Sequence, residues 1–447
     1  MAQKKQWFIA HYLLVSPKYT IFAPLIEKPM KYYLILITFL FGCSFLYAED
    51  YSELTVDFPK VASYSEATGY GYDLNTSWDG RATTPFFFSV NVPDGNYRVT
   101  VTIGSKRRAA VTTIRCESRR LFVENLATKK GELVTRTFVV NKRDSLFTDD
   151  KGKVDKVRLK PGEEGKLHWD SKLTFEINGD APAIQSIEIE RDEQIPTLYL
   201  LGNSTVVDQS NEPWASWGQM IPRFLNEGLA VANYAESGLA VATLIGQNRW
   251  AKVHSLLREG DYVILEFGHN DQKTDDRPGN GAYYAFSHQV KLILDQCRAK
   301  GATLILCTPT MRRSFKDGVN QNTHKDYPEA IRAIAEREDL LCIDLQEMTG
   351  KFYEAMGEEG SKRAFVHYPA ATWPNQEKAL ADNTHFNPYG AYEIAKMVAA
   401  ALAQSEMPIG GFVLPEFSHF DPSHPDDIET FHWNNCPFVD MTKPDGN

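Results

Sequence analysis

Leu198-Tyr199-Leu200-Leu201-Gly202-Asn203-Ser204-Thr205 is the stretch on which the fold turns. Four apolar residues run straight into a glycine, an asparagine and a serine. A short, continuously apolar run closed by a turn is the mark of a strand buried on both faces. Four similar runs follow at 230–234, 261–267, 303–307 and 340–343. Between and after them lie helical patterns at 214–227, 239–258, 283–299, 328–337 and about 388–403. Buried strands alternating with helices predict an α/β fold, a parallel sheet with helices on both sides. In such sheets ligands bind beyond the C-terminal strand ends. Ser204, Gly238 and Asn270 each stand just past one of the runs.

Upstream the pattern has period two. Runs at 85–92, 97–103, 132–140, 172–177 and 184–189 alternate apolar and polar residues, and Pro93-Asp94-Gly95-Asn96 supplies a turn between the first two. This predicts an antiparallel β-sandwich. Domains are therefore expected at 49–194 (sandwich) and 195–405 (α/β). Residues 406–447 show neither period and read as a tail packing on the α/β domain.

Residues 1–48 form a leader. Lys31 precedes an apolar run from Leu34 to Tyr47, and Ala48 is followed by Glu49-Asp50, the layout of a signal peptide at about 30–48. Residues 1–29 then read as an extension upstream of the true start. The expected location is secreted or periplasmic. The alternative is a lipid anchor at Cys43, since Leu40-Phe41-Gly42-Cys43 resembles a lipoprotein cleavage box. The apolar run is too short for a membrane span.

Composition narrows the partners. With 43% hydrophobic and 24% charged residues, the chain can bury an ordinary core. Its net charge of −10 becomes −14 once the leader, five lysines against one glutamate, is removed. No long basic run is present, so nucleic acid is not an expected partner. The five cysteines outside the leader are odd in number and lack C-x-x-C spacing, which favours free buried thiols over a disulfide framework or a zinc site.

Four blocks carry chemistry: 198–205, Asn233-Tyr234-Ala235-Glu236-Ser237-Gly238, Phe267-Gly268-His269-Asn270-Asp271 and Asp382-Asn383-Thr384-His385-Phe386-Asn387. Serine acyl transfer needs a nucleophile, a base, a group orienting the base, and oxyanion donors. Ser204, His385 and Asp382 fill the first three roles. The Ser204 and Gly238 amides and the Asn270 side chain fill the last. Singly, each has a plainer reading: Ser204 as a turn or N-cap residue, Asp382 as a helix cap, Gly238 as a turn glycine, Asn270 as a cap. His269 and Asp271 would suit a metal, but no further ligand stands at the right spacing, so no metal is expected.

In order and separation, the four blocks resemble the conserved blocks of the SGNH (GDSL-type) hydrolase superfamily. Within it, Gly202-Asn203-Ser204-Thr205-Val206, the 233–238 segment, Arg249-Trp250, Gly268-His269-Asn270-Asp271 and Thr384-His385-Phe386-Asn387 with Gly390-Ala391 resemble rhamnogalacturonan acetylesterases. The resemblance covers about 196–405. It implies a flavodoxin-like three-layer α/β/α fold, a Ser204–His385–Asp382 triad, oxyanion donors from Ser204, Gly238 and Asn270, and no metal or cofactor. Two departures stand out. The family's Gly-Asp-Ser is Gly202-Asn203-Ser204 here, and Leu239-Ala240-Val241 replaces the arginine and serine common after the second block.

The sandwich resembles galactose-binding-like modules, and Tyr70, Tyr72, Trp78 and Trp169 would either stack on sugar or pack its interior. The expected function is a secreted esterase removing O-acetyl groups from plant cell-wall polysaccharide, pectin and rhamnogalacturonan first. Alternatives are an esterase of another acylated glycan such as xylan, a lipid esterase or thioesterase, and a non-catalytic carbohydrate-binding protein. An acidic enzyme needs local cations to hold anionic pectin, so Arg249, Lys273 and Arg277 are candidate substrate contacts. Asn203, His269 and Asp271, beside the catalytic groups, are candidates too.

Overall fold

Alternation along the Gly95–Gly104 strand leaves Tyr97, Val99, Val101 and Ile103 fully buried, with part-exposed residues between. That strand belongs to a four-stranded antiparallel sheet with Glu53–Asp57, Ile184–Arg191 and Leu133–Lys142. A five-stranded sheet faces it, in the order Tyr70–Asp73, Phe86–Asn91, Lys172–Asn178, Ala110–Cys116, Arg120–Thr128. Phe86, Phe88, Val90, Phe175 and Ile177 fill the space between the layers. Tyr72 and Trp78 belong to this same core, and the Tyr72 hydroxyl donates to the Trp78 carbonyl at 2.9 Å. Trp169 packs edge-on against Tyr234. These aromatics fill the interior. The computed structural model describes residues 51–445, so the leader features at 1–48, Cys43 among them, lie outside the described residues.

The parallel sheet begins at Thr197–Leu201. Its five strands add Ala230–Asn233, Tyr262–Glu266, Thr303–Cys307 and Cys342–Ile343, and numbered by chain order they stand 2-1-3-4-5. This is the doubly wound order of flavodoxin-like folds. Period two divides the first strand between two cores. Leu198 and Leu200 meet the helices Leu345–Gly360 and Pro388–Gln404. Tyr199 and Leu201 meet Arg249–Leu256, Ser287–Ala299 and Tyr327–Glu338. The α/β expectation and the three-layer arrangement hold.

Helix lengths differ from the sequence reading for local reasons. The 214–227 pattern shrinks to Trp217–Met220 and a 3-10 turn Ile221–Phe224, because Pro222 has no N–H to continue the helix. The 239–258 pattern splits into Val241–Gly246 and Arg249–Leu256 at Asn248, whose φ is 61°. Leu345–Gly360 was not expected as a helix. Its two internal glycines mask a genuine apolar face of Leu345, Phe352 and Tyr353. Among the described residues the cysteines are free, four of the five being buried. No described helix is long and apolar enough to cross a membrane.

Sandwich and parallel sheet belong to one compact unit, and buried arginines join them. The hairpin after Cys116 turns through Glu117 and Arg119, both at positive φ, and so delivers Arg119 and Arg120 into the parallel-sheet half. Arg119 donates to the carbonyls of Gln209 (3.2 Å) and Trp214 (2.9 Å) and pairs with Glu212 at 2.7 Å. Arg120 donates to the Val231 carbonyl at 3.0 Å and lies 3.4 Å from Asp208. All four ionic side chains are 2% exposed or less. The described residues after 405 include three short 3-10 turns. This tail crosses both halves: Phe417 packs on Phe224 at 4.8 Å, and Trp433 lies 4.0 Å beneath the Arg115 guanidinium.

Removing one member of a buried ion pair leaves an uncompensated charge, typically costing about 3–5 kcal/mol. Arg119→Ala is therefore expected to lower unfolding free energy by about that much in urea denaturation. Adding Glu212→Ala should return part of the loss. A single-variant loss below about 1 kcal/mol would contradict the pairing.

Candidate active site

Three strand ends and one hairpin converge at the C-terminal edge of the parallel sheet. Ser204 leaves the first strand through Gly202, where a Cβ would lie 2.5 Å from a Val206 methyl and 3.1 Å from the Glu266 carbonyl. Only glycine lets the turn pass so close to the neighbouring strand. Asn203 then accepts on its Oδ1 from the Thr205 amide at 3.2 Å, and the Val206 and Val207 amides both donate to its carbonyl at 3.0 Å. Gln209 donates to the Ser204 carbonyl at 3.0 Å. The nucleophile candidate, 2% exposed, therefore sits on a turn held from several directions.

Beneath it lies Glu266, fully buried at the end of the third strand. Its carboxyl accepts from Trp217 Nε1 at 2.7 Å, Thr205 Oγ1 at 3.0 Å and the Thr310 amide at 3.2 Å. Burial pushes this carboxyl up to about 7, against those hydrogen bonds, which lower it.

His385 and Asp382 come from the Leu380–Phe386 strand, paired antiparallel with Phe365–Tyr368. This hairpin is what presents them. His385 Nδ1 lies 2.8 Å from Asp382 Oδ2, and Nε2 lies 2.8 Å from Ser204 Oγ. An ionised carboxylate only accepts, so Nδ1 carries the hydrogen and Nε2 is left to accept from the serine hydroxyl. Burial works to raise the Asp382 carboxyl. The His385 side chain and the Thr384 and His385 amides outweigh it and hold the group below its ordinary value. Those amides donate to Oδ1 at 2.8 and 3.1 Å. The Trp214 indole meets the imidazole edge-on at 5.9 Å. Lys443, from the tail, places Nζ 3.5 Å from Asp382 Oδ2.

Gly238 follows the second strand at φ 77°. A Cβ there would lie 2.9 Å from Asp445 Cβ, so the tail closes over this glycine. No described residue accepts the Ser204 or Gly238 amide hydrogen. Asn270 donates one Nδ2 hydrogen to the Leu239 carbonyl at 3.0 Å. Its second hydrogen remains for a ligand.

The expected substrate contacts mostly correct to internal roles. Arg249 is fully buried and ion-paired with Glu163, so it cannot attract a polysaccharide. His269 is 1% exposed, with Nε2 at 3.2 Å from Thr310 Oγ1 and Nδ1 at 3.1 Å from His324 Nε2. Burial, joined by the charge of Arg312, drives its pKa well below the usual value, so it stays neutral. Asp271 accepts from the amides of Val241 and Gly268, each at 2.9 Å, and clamps the Gly238 loop to the third strand. Asn203 is fully buried on its own turn. Lys273 is exposed and is felt electrostatically by Asp445 and Lys443, hence near the tail. Arg277 is exposed on the loop after it, its amide donating to Thr274. The sequence reading missed Glu266, Gln209, Trp214 and Lys443. A lone carboxylate closing an apolar run was a usable sign for Glu266; nothing local marks the others.

Residues 200–392 match the GDSL-like lipase/acylhydrolase family. The chain is similar to the rhamnogalacturonan acetylesterase RhgT of Bacillus subtilis (strain 168), 36% identical over 215 residues that cover 47% of this chain and 91% of the relative. It is also similar to a protein of that organism named "Probable rhamnogalacturonan acetylesterase YesY", 29% identical over 223 residues, 49% of this chain and 98% of the relative. A third relative from it, the uncharacterized esterase YxiM, is 24% identical over 331 residues, 73% of this chain and 75% of its own length.

Glu266 yields a pH prediction. A carboxyl raised from 4.5 to about 7 on folding contributes stability that is complete below pH 4.5 and is lost as pH climbs through about 7. Glu266→Gln lacks that loss. The advantage of the unaltered protein over the variant should therefore shrink by up to about 3 kcal/mol across this range. Urea melts at several pH values measure it, and a constant difference would refute the assignment.

Proposed function

The chain belongs to the GDSL-like lipase/acylhydrolase family, and we propose that it is a carbohydrate O-acetylesterase working through Ser204, His385 and Asp382. The observation that carries this reading is the continuous hydrogen-bond chain from Ser204 Oγ through His385 to Asp382, each link 2.8 Å. Ser204 Oγ attacks the acetyl carbonyl as His385 Nε2 takes its proton. Asp382 holds the imidazole in the right tautomer and favours the imidazolium that results. Charge developing on the carbonyl oxygen meets the Ser204 and Gly238 amides and the Asn270 side chain. His385 returns the proton to the departing sugar oxygen. Water, deprotonated by the same imidazole, then releases acetate from the serine.

Two relatives bearing the name rhamnogalacturonan acetylesterase support pectic polysaccharide as the substrate. Export through a signal peptide at about 30–48 is part of the same proposal, since such a polymer lies outside the cell. N-terminal sequencing of the mature protein tests it, with a start near residue 49 expected.

Ser204→Ala is expected to abolish turnover of 4-nitrophenyl acetate and acetate release from acetylated rhamnogalacturonan; retained turnover would eliminate the nucleophile. Asp382→Asn should lower kcat by about 10⁴-fold with the fold intact. For Asn270→Ala a loss of about 10²–10³-fold in kcat is expected, and a change confined to KM would remove Asn270 from the oxyanion site.

A further inference from the structure

A cavity of about 360 Å³ opens in the seam between the sandwich and the loop that follows Ser204, within the range of about 300–1,000 Å³ usual for small-ligand sites. Its apolar wall is made by Leu74 and by Phe87 and Phe438, whose rings lie 5.3 Å apart. Ser210 and Asn211, on the same loop as Gln209, line the cavity too. A second cavity of about 280 Å³, lined by Gln209, Trp214, Glu236 and Ser237, shares Lys166, Ser210 and Asn211 with the first. The two form one groove. It leads from the sandwich to residues that touch Ser204, His385 and Gly238: Gln209 by hydrogen bond, Trp214 by its ring, Ser237 as chain neighbour.

The charges in the seam cavity are already matched, with one exception. Glu176 pairs with Arg115 at 2.8 Å, Lys166 with Glu236 at 2.9 Å and Arg119 with Glu212 at 2.7 Å. Glu117, 3% exposed, accepts the Thr174 amide on Oε1 at 2.9 Å, while its Oε2 has no hydrogen-bond partner among the described residues. An unsatisfied buried oxygen is costly and calls for a partner. Ser118 Oγ beside it is held 2.6 Å from His168 Nδ1. An apolar wall facing hydroxyl, amide and carboxyl groups, with no unmatched cation, is the chemistry of an uncharged sugar: the ring face stacks and the hydroxyls hydrogen-bond.

We propose that this cavity is a glycan subsite, built jointly by the sandwich and the catalytic half, that holds an uncharged sugar residue beside the one carrying the ester. The proposal rests on the glycan reading above and adds which part of the chain it grips. Burial, opposed by the Arg120 charge, pushes the Glu117 carboxyl up to about 8. Near neutral pH it is therefore protonated, able to donate and accept at once to a sugar hydroxyl.

The test is binding of ester-free oligosaccharides to the full-length protein, by titration calorimetry with xylotetraose, galactotetraose and tetragalacturonate. A neutral tetrasaccharide is expected to bind, and tetragalacturonate to bind more weakly. Glu117→Ala and Phe438→Ala should each weaken the neutral ligand about tenfold. Glu117→Gln, isosteric with the neutral acid, should stay within about twofold. Thermal melts of the three variants separate lost binding from lost folding, and Phe438→Ala leaves the buried carboxyl untouched. No binding of either neutral ligand, tighter binding of tetragalacturonate, or equal binding by all well-folded variants overturns the subsite. Neutral binding without acetate release from any acetylated glycan would keep the subsite and reject the esterase assignment instead.

Discussion

A guanidinium buried beside a carboxylate gains little net stability, because desolvation consumes most of the Coulombic attraction, yet it is costly to break. Arg119 and Arg120 place this constraint where the sandwich meets the loop after Ser204. Arg119 holds the Gln209 and Trp214 carbonyls and the Glu212 carboxylate. Gln209 in turn holds the Ser204 carbonyl, and Trp214 closes on the His385 ring. Arg120 sits against Asp208, which also accepts from Asn233 at 2.8 Å. The sandwich thus sets the register of the turn that carries Ser204.

Carboxyl groups in this region divide by environment. Asp382 is buried but receives two amides and an imidazole N–H, so its anion is the favoured form and can orient His385. Glu266 also accepts three hydrogen bonds, but at Glu266 and at Glu117 burial outweighs the groups that favour the anion, and each is pushed towards the protonated form. One functional group therefore serves as a fixed negative charge at one position and as a neutral hydrogen-bonding brace at another. The balance between burial and the donors and charges around each carboxyl decides between them.

Much of the fold was legible because its signals are local. Runs such as 198–201 and 304–307 are apolar at every position, and only a strand covered on both faces uses such a run economically. Five of the nine strands in the two sandwich sheets announced themselves by alternation, while Glu53–Asp57, Tyr70–Asp73, Ala110–Cys116 and Arg120–Thr128 did not. Their buried residues include Thr112, Thr113, Arg115 and Arg120, polar groups whose partners Ala183, Asn125, Glu176 and Val231 stand elsewhere in the chain. The polar candidates near the site failed for the same reason in reverse. Arg249, His269, Asp271 and Asn203 looked available as charged or polar letters, but each is consumed by a partner distant in sequence or by its own turn.

Sequence alone determined the strand–helix alternation, the change of period near residue 195 and the presence of a serine, a glycine and an asparagine at three strand ends, since these follow from side-chain periodicity and from which residues tolerate a tight turn. Tertiary structure alone decided that His385 reaches Ser204 across 181 positions, that the tail lays Lys443 beside Asp382, and that the buried arginines face inward. Such contacts depend on which surfaces meet once the layers pack, and no local pattern encodes the partner of a buried charge.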